Sequence, residues 1–336
     1  MTQNSVFQSN KNEMKSVISN FIQENKSEMN NNSNIWHFFF SENSRAMYNR
    51  LISTKQQVNP NTYKSTKEYH ENFKQYPQYC NVSENTLKSK FHESTTTLNF
   101  SEIGAIDPQL GALKSRVNIK FINLAGVVIK SKDVFKKLNL FKQLTSLSLS
   151  NCGLMEIPKK LPPTIKNLDL SYNYINDIPL GSIKWEQFER LNLSKNSFIE
   201  WPQNLNPTVF PNLVYLSLAW NRIENANPIT LFSCFPKLLY LDLSYCSLNN
   251  YPRWLIMSKS IHVLNLAGNS EIIDFSLSLL SKMCSLKYID ISNININESI
   301  ITEDQDKVFS KSLDKIISKE NNYNLIEINN CSVVYK

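Results

Sequence analysis

One pattern recurs along the C-terminal two-thirds of this chain and constrains its fold more than any other feature. It reads apolar, two variable, apolar, one variable, apolar, two variable, Asn or Cys, one variable, apolar. Copies begin at Leu144, Ile165, Phe188, Leu213, Leu238, Ile261 and Leu286, with a degenerate copy from Ile119 and a last one from Tyr323 ending in NNCSV. The Asn/Cys slots Cys152, Asn173, Asn196, Asn221, Cys246 and Asn269 are spaced 21, 23, 25, 25 and 23 residues apart. A fixed period of this length marks a stacked repeat architecture, because no single unit can bury its own apolar face.

The alternation inside each copy predicts a short strand. Pairs such as Leu168/Leu170, Leu191/Leu193, Leu216/Leu218 and Leu241/Leu243 should point inward, and their neighbours outward. Each Leu buried in such a row contributes about 1.5–3 kcal/mol. The Asn side chains should turn into the loop and bond backbone groups that the turn leaves unpaired. Cys152, Cys246 and Cys331 occupy the same slot, a packing role rather than a redox or metal one. Pro follows Ile157, Ile178, Trp201 and Tyr251, so the return segments are expected to be extended or turn-like. The stretch 272–285 reads as helical.

These residues resemble the leucine-rich-repeat superfamily, whose repeats run 20–29 residues. LPPTIKNLDLSYNYINDIP, from Leu161, is similar to the short repeats of bacterial effector proteins of that superfamily. The resemblance implies an α/β fold: a curved solenoid with a parallel sheet on its concave side. The expected organisation is a helical, partly disordered region over 1–100, then about eight to nine repeats over 101–336. Within the repeats, a helical insertion is expected at about 298–321. In the first region, Met14, Val17, Ile18, Phe21 and Ile22 share one helical face. Trp36, Phe39, Phe40, Met47, Tyr48, Leu51 and Ile52 form a second helical stretch. Capping of the solenoid's open end is the expected role, since a terminal repeat cannot leave its apolar edge in water.

A binding surface follows from reading equivalent columns. The residue after the second strand Leu is small: Ser150, Ser171, Ser194, Ala219, Ser244, Ala267, Ser292. The next column holds Asn151, Tyr172, Lys195, Trp220 and Tyr245. The column before the first strand Leu holds Ser146, Asn167, Arg190, Tyr215, Tyr240, Val263 and Tyr288. Tyr, Trp and Arg are enriched at binding hot spots. We therefore expect a protein partner to be held by Tyr172, Arg190, Lys195, Tyr215, Trp220, Tyr240, Asp242, Tyr245 and Tyr288. Truncating Trp220 and Tyr240 together is expected to weaken that partner's capture and leave the melting temperature nearly unchanged. The alternative is that the aromatics pack across neighbouring strands and stiffen the sheet.

Other functions find less support. Formal charge is +7, without a dense Lys/Arg run, and acids such as Asp169, Asp242 and Asp290 are interleaved with the aromatics. This argues against a nucleic acid, although the charge gives a ribonucleoprotein reading its one support. No phosphate loop, HExxH or GxSxG occurs, and His37, His70, His92 and His262 lie far apart. Neither enzyme chemistry, a cofactor nor a small-molecule substrate is expected. No stretch reaches the roughly 20 apolar residues of a membrane span. A start without an apolar leader and six scattered cysteines favour a reducing, intracellular compartment, cytoplasmic or nuclear. The bacterial likeness adds a further reading, an effector delivered into a host cell.

Overall fold

The computed structural model describes residue 85 and residues 95–101, 109–114, 118–179, 185–226, 235–275, 277–280, 282–291, 293–294, 315–318 and 332–335. Among them, eleven strands form one parallel sheet in strict chain order. They are β1 (Thr97–Asn99), β2 (Phe121–Asn123), β3 (Ser146–Ser148), β4 (Asn167–Asp169), β5 (Arg190–Asn192) and β6 (Tyr215–Ser217). β7 (Tyr240–Asp242), β8 (Val263–Asn265), β9 (Tyr288–Asp290), β10 (Lys315–Ser318) and β11 (Ser332–Tyr335) continue it. Register is uniform: Leu147, Leu168, Leu191, Leu216, Leu241, Leu264 and Ile289 pair in sequence as the central residues of β3 to β9. All are buried, as are the leucines two positions on, and together they form one continuous core. The expected inner row of leucines is thus present.

Strands β3 to β8 end in the same way, through two ladders of side-chain hydrogen bonds, the first of which also closes β1 and β2. The third strand residue accepts from the backbone N–H two residues on. Asn99 serves Ser101, Asn123 serves Ala125, Asp169 serves Ser171, Asn192 serves Ser194, Asp242 serves Ser244 and Asn265 serves Ala267, all within 2.9–3.1 Å. This local bond competes with further strand and starts the turn. Four residues later comes the Asn/Cys slot. Asn221 Nδ2 donates to the Leu193 and Leu218 carbonyls at 3.0 and 2.7 Å, while its Oδ1 accepts from Phe198 N–H at 3.2 Å. The amide therefore binds its own turn to the preceding repeat. Cys152 and Cys246 keep only the donor half, from Sγ to the Leu124 and Leu218 carbonyls. Cys152, Cys246 and Cys284 are free thiols.

The returns match their lengths. Ile157, Ile178, Trp201 and Tyr251, each before a proline, are buried. The wider repeats fill the added volume with aromatic rings: Trp185 lies against Phe188 and Phe210, and Trp201 meets Trp254 edge-on at 5.4 Å. Each buried indole N–H finds a carbonyl: Pro179 for Trp185, Leu205 for Trp201 and Ala226 for Trp254. A buried indole otherwise loses the hydrogen bond it makes in water.

Three expectations are corrected. The sheet begins one strand earlier than the pattern suggested: β1 pairs with β2 and buries Leu98, although Thr97–Asn99 falls before the expected boundary at 100. Its copy is too short to show the full spacing. Among the described residues of 272–285, helix covers only α2 (Leu277–Leu280), whereas α1 (Asp133–Leu138) forms in the second repeat. The insertion expected at 298–321 lies mostly outside the described residues, and its described part, Lys315–Ser318, is strand that pairs with β9 and β11. The helices expected before residue 95, the start of the last copy from Tyr323 and Cys331 also lie outside the described residues.

Candidate partner-binding surface

The two aromatic columns occupy different environments. The first residues of β3 to β8 face the outer side of the sheet and are closed off. Ser146, Asn167 and Arg190 form a relay: Asn167 Nδ2 donates to Ser146 Oγ at 2.9 Å, and Arg190 Nη1 donates to Asn167 Oδ1 at 2.9 Å. Beside them Tyr215 and Tyr240 stack almost parallel, 4.7 Å between centroids and 8° between planes, each only 3% exposed. Burial pushes both phenols well above their ordinary pKa, and the Asp242 charge adds to the shift. Tyr288 opens β9 in register with Val263.

The acids of the third strand position are committed to the backbone. Asp242 Oδ1 accepts from Ser244 N–H and Oγ–H at 3.0 and 2.7 Å, and its Oδ2 accepts from Ser217 Oγ at 3.4 Å. Desolvation, with a smaller contribution from the Asp290 charge, raises its carboxyl to about 6 against those bonds. Asp169 is shifted upward by burial too. Most of the small column is closed: Ser171, Ala219, Ser244 and Ala267 are buried, while Ser150 and Ser194 are half-buried.

The turn column is the open one. Asn151, Tyr172, Lys195, Trp220, Tyr245 and Asn293 all have left-handed backbone, with φ between 53° and 60°, and Gly126 and Gly268 hold the same slot at 72° and 74°. The conformation is forced because each N–H extends the ladder by one more rung. Tyr172 donates to Ser194 O, Lys195 to Ala219 O, Trp220 to Ser244 O and Tyr245 to Ala267 O, at 2.7–2.9 Å. Gly and Asn suit this region; bulky side chains there are outliers. Four consecutive repeats nevertheless carry Tyr, Lys, Trp and Tyr.

Their side chains form one ladder. Lys195 Nζ lies 4.7 Å from the Tyr172 ring centroid and 4.7 Å from that of Trp220. Trp220 stacks on Tyr245 at 4.2 Å and 14°. Tyr245 in turn covers Gly268, where an added Cβ would overlap its ring. Trp220 is 41% exposed, and Tyr172, Lys195 and Tyr245 are partly exposed. The sequence columns named these four residues, but nothing in them signalled the left-handed backbone or the ammonium between two rings. Gly126, Asn151, Gly268 and Asn293 flanking them in register were the available clue.

Among the described residues, no group of three or more His, Cys, Asp or Glu is placed to hold a metal. No helix among them is long and apolar enough to cross a membrane.

The family model described as Leucine Rich Repeat matches residues 143–168. Fibromodulin of Gallus gallus is 29% identical over 51% of the chain and 37% of its own length. Leucine-rich repeat-containing G-protein coupled receptor 5 of Rattus norvegicus is 33% identical over 32% of the chain and 12% of its own length. The chain thus spans well under half of either relative. Among solved structures, an internalin from Listeria monocytogenes aligns over 75% of this chain and 82% of its own, at 16% identity and a TM-score of 0.49.

Proposed function

The chain is a leucine-rich-repeat protein, and from that premise we propose that it works as a non-enzymatic scaffold or adaptor. Leucine-rich-repeat proteins generally mediate protein–protein interaction. The partner is a protein, and it docks on the ridge Tyr172–Lys195–Trp220–Tyr245 along the ends of β4 to β7. The observation that carries this reading is the backbone. Left-handed bulky residues cost folding free energy, of order 1 kcal/mol or more each, and such strain concentrates at functional sites. Flanking repeats meet the same turn with Gly126, Asn151, Gly268 and Asn293. A column selected for stability alone would use those residues throughout. Rigid, partly exposed rings lose little side-chain entropy when a partner covers them, so they suit a hot spot.

Arg190, Tyr215, Tyr240 and Asp242 are assigned a supporting role, because they are occupied by the sheet itself. The free thiols favour a reducing, intracellular setting, since Cys152 and Cys246 donate to carbonyls rather than pair. The test is capture of a partner by the intact protein and by a Trp220→Asn/Tyr245→Asn variant. Loss of capture with an unchanged melting temperature supports the ridge. Full capture, or a variant that no longer folds, overturns it.

A further inference from the structure

We infer that the space between the Tyr172 and Trp220 rings is a cation-binding slot for an arginine of the partner, held in this structure by the chain's own Lys195. The inference deepens the ridge reading and rests on it. Lys195 is the one cation in its column among the described residues, and its ammonium is equidistant from two ring centroids at 4.7 Å. Each ring presents the negative face of its quadrupole, so a cation between them is attracted from both sides.

Two features favour an arginine over Lys195 in this slot. Its backbone is fixed by the bond to Ala219 O at 2.7 Å, while its ammonium is carried on a flexible stem. A guanidinium, being planar and more weakly hydrated, stacks on aromatic faces better than an ammonium does. Charge complementarity points the same way. Asp169 ends β4, the strand that leads to Tyr172, and Asp242 ends β7, which pairs with the strand that leads to Trp220. An acidic partner would meet those carboxylates unfavourably, whereas an arginine-bearing segment would not. Trp220 continues the slot into its stack with Tyr245, and Gly268 keeps Tyr245 in place by leaving its ring room.

The probe is N-acetyl-arginine methylamide, titrated into the 15N-labelled full chain while the Trp220 indole N–H is followed by NMR. Its neutral isostere, the citrulline derivative, and its acidic counterpart, N-acetyl-aspartate methylamide, serve as controls. In Lys195→Asn, which places in this slot the residue found at 151 and 293, the arginine probe should saturate at about tenfold lower concentration than in the unmodified chain. The citrulline derivative should produce no shift, and Lys195→Asn/Tyr172→Ala should lose the response. An equal response to citrulline, a stronger response to the aspartate derivative, or none to arginine in Lys195→Asn overturns the slot. If the arginine probe fails while Trp220→Asn/Tyr245→Asn still abolishes partner capture, the slot falls and the ridge stands. If the probe binds while that double variant still captures the partner, the ridge reading falls and the slot's assignment to a partner's arginine falls with it.

Discussion

The same two repeats carry two stacked aromatic pairs, and the difference between them is instructive. Tyr215 and Tyr240 stack at the start of β6 and β7, at 4.7 Å and 3% exposure each. Trp220 and Tyr245 stack five residues later, at 4.2 Å, and Trp220 is 41% exposed. The first pair sits on extended backbone that any aromatic residue favours. The second sits at φ 60° and 54°, where a bulky side chain is disfavoured. Stacking geometry alone does not separate structure from function. Exposure together with the backbone's cost does: one pair serves the sheet, and the other is held out from it against local preference.

The largest expected effect tests the closed pair. Tyr240→Ala removes a buried ring and should destabilise the fold by about 3–5 kcal/mol, read as a fall in denaturant midpoint. This replaces the expectation that Trp220 and Tyr240 are jointly dispensable for stability; burial at 3% forbids it for Tyr240. A change under 1 kcal/mol would erase the distinction between the columns.

Asp242→Asn comes next. The folded carboxyl, at about 6, holds its proton more tightly than the unfolded one near 3.9, so the folded state loses stability as pH rises between these values. Asn keeps the turn acceptor, as Asn192 and Asn265 do. The variant should gain about 2 kcal/mol over the unmodified protein at pH 7, and the gain should vanish near pH 4. Parallel stability curves across that range would place Asp242 in water rather than in the sheet.

Gly268→Ala should cost about 1–2 kcal/mol through its left-handed φ and, more tellingly, displace Tyr245. The Trp220 indole resonance should move with it; an unmoved resonance would separate the ladder from Gly268. The smallest effect belongs to Trp220→Asn. Relief of backbone strain and loss of stacking are each about 1 kcal/mol and opposite in sign. Thermal unfolding should therefore change little, and a loss above 2 kcal/mol would make the ridge structural after all.

The sequence by itself determined the repeat, the direction of each strand residue and the Asn slot. Period-2 alternation locked to a period of 21–25 residues leaves Leu168, Leu191, Leu216 and Leu241 only one way to share an interior. It also named every residue of the exposed ladder. It could not tell Tyr240 from Tyr245, because both read as outward aromatics near a strand. Alternation fixes the side of the sheet on which a residue lies, but depth is set by what neighbouring repeats place beside it. The same holds for Asp242, whose carboxylate reads as a surface charge yet turns back to cap its own strand end. Only the stacked chain decided which ring closes the sheet and which stays open, since those contacts join residues some 25 positions apart.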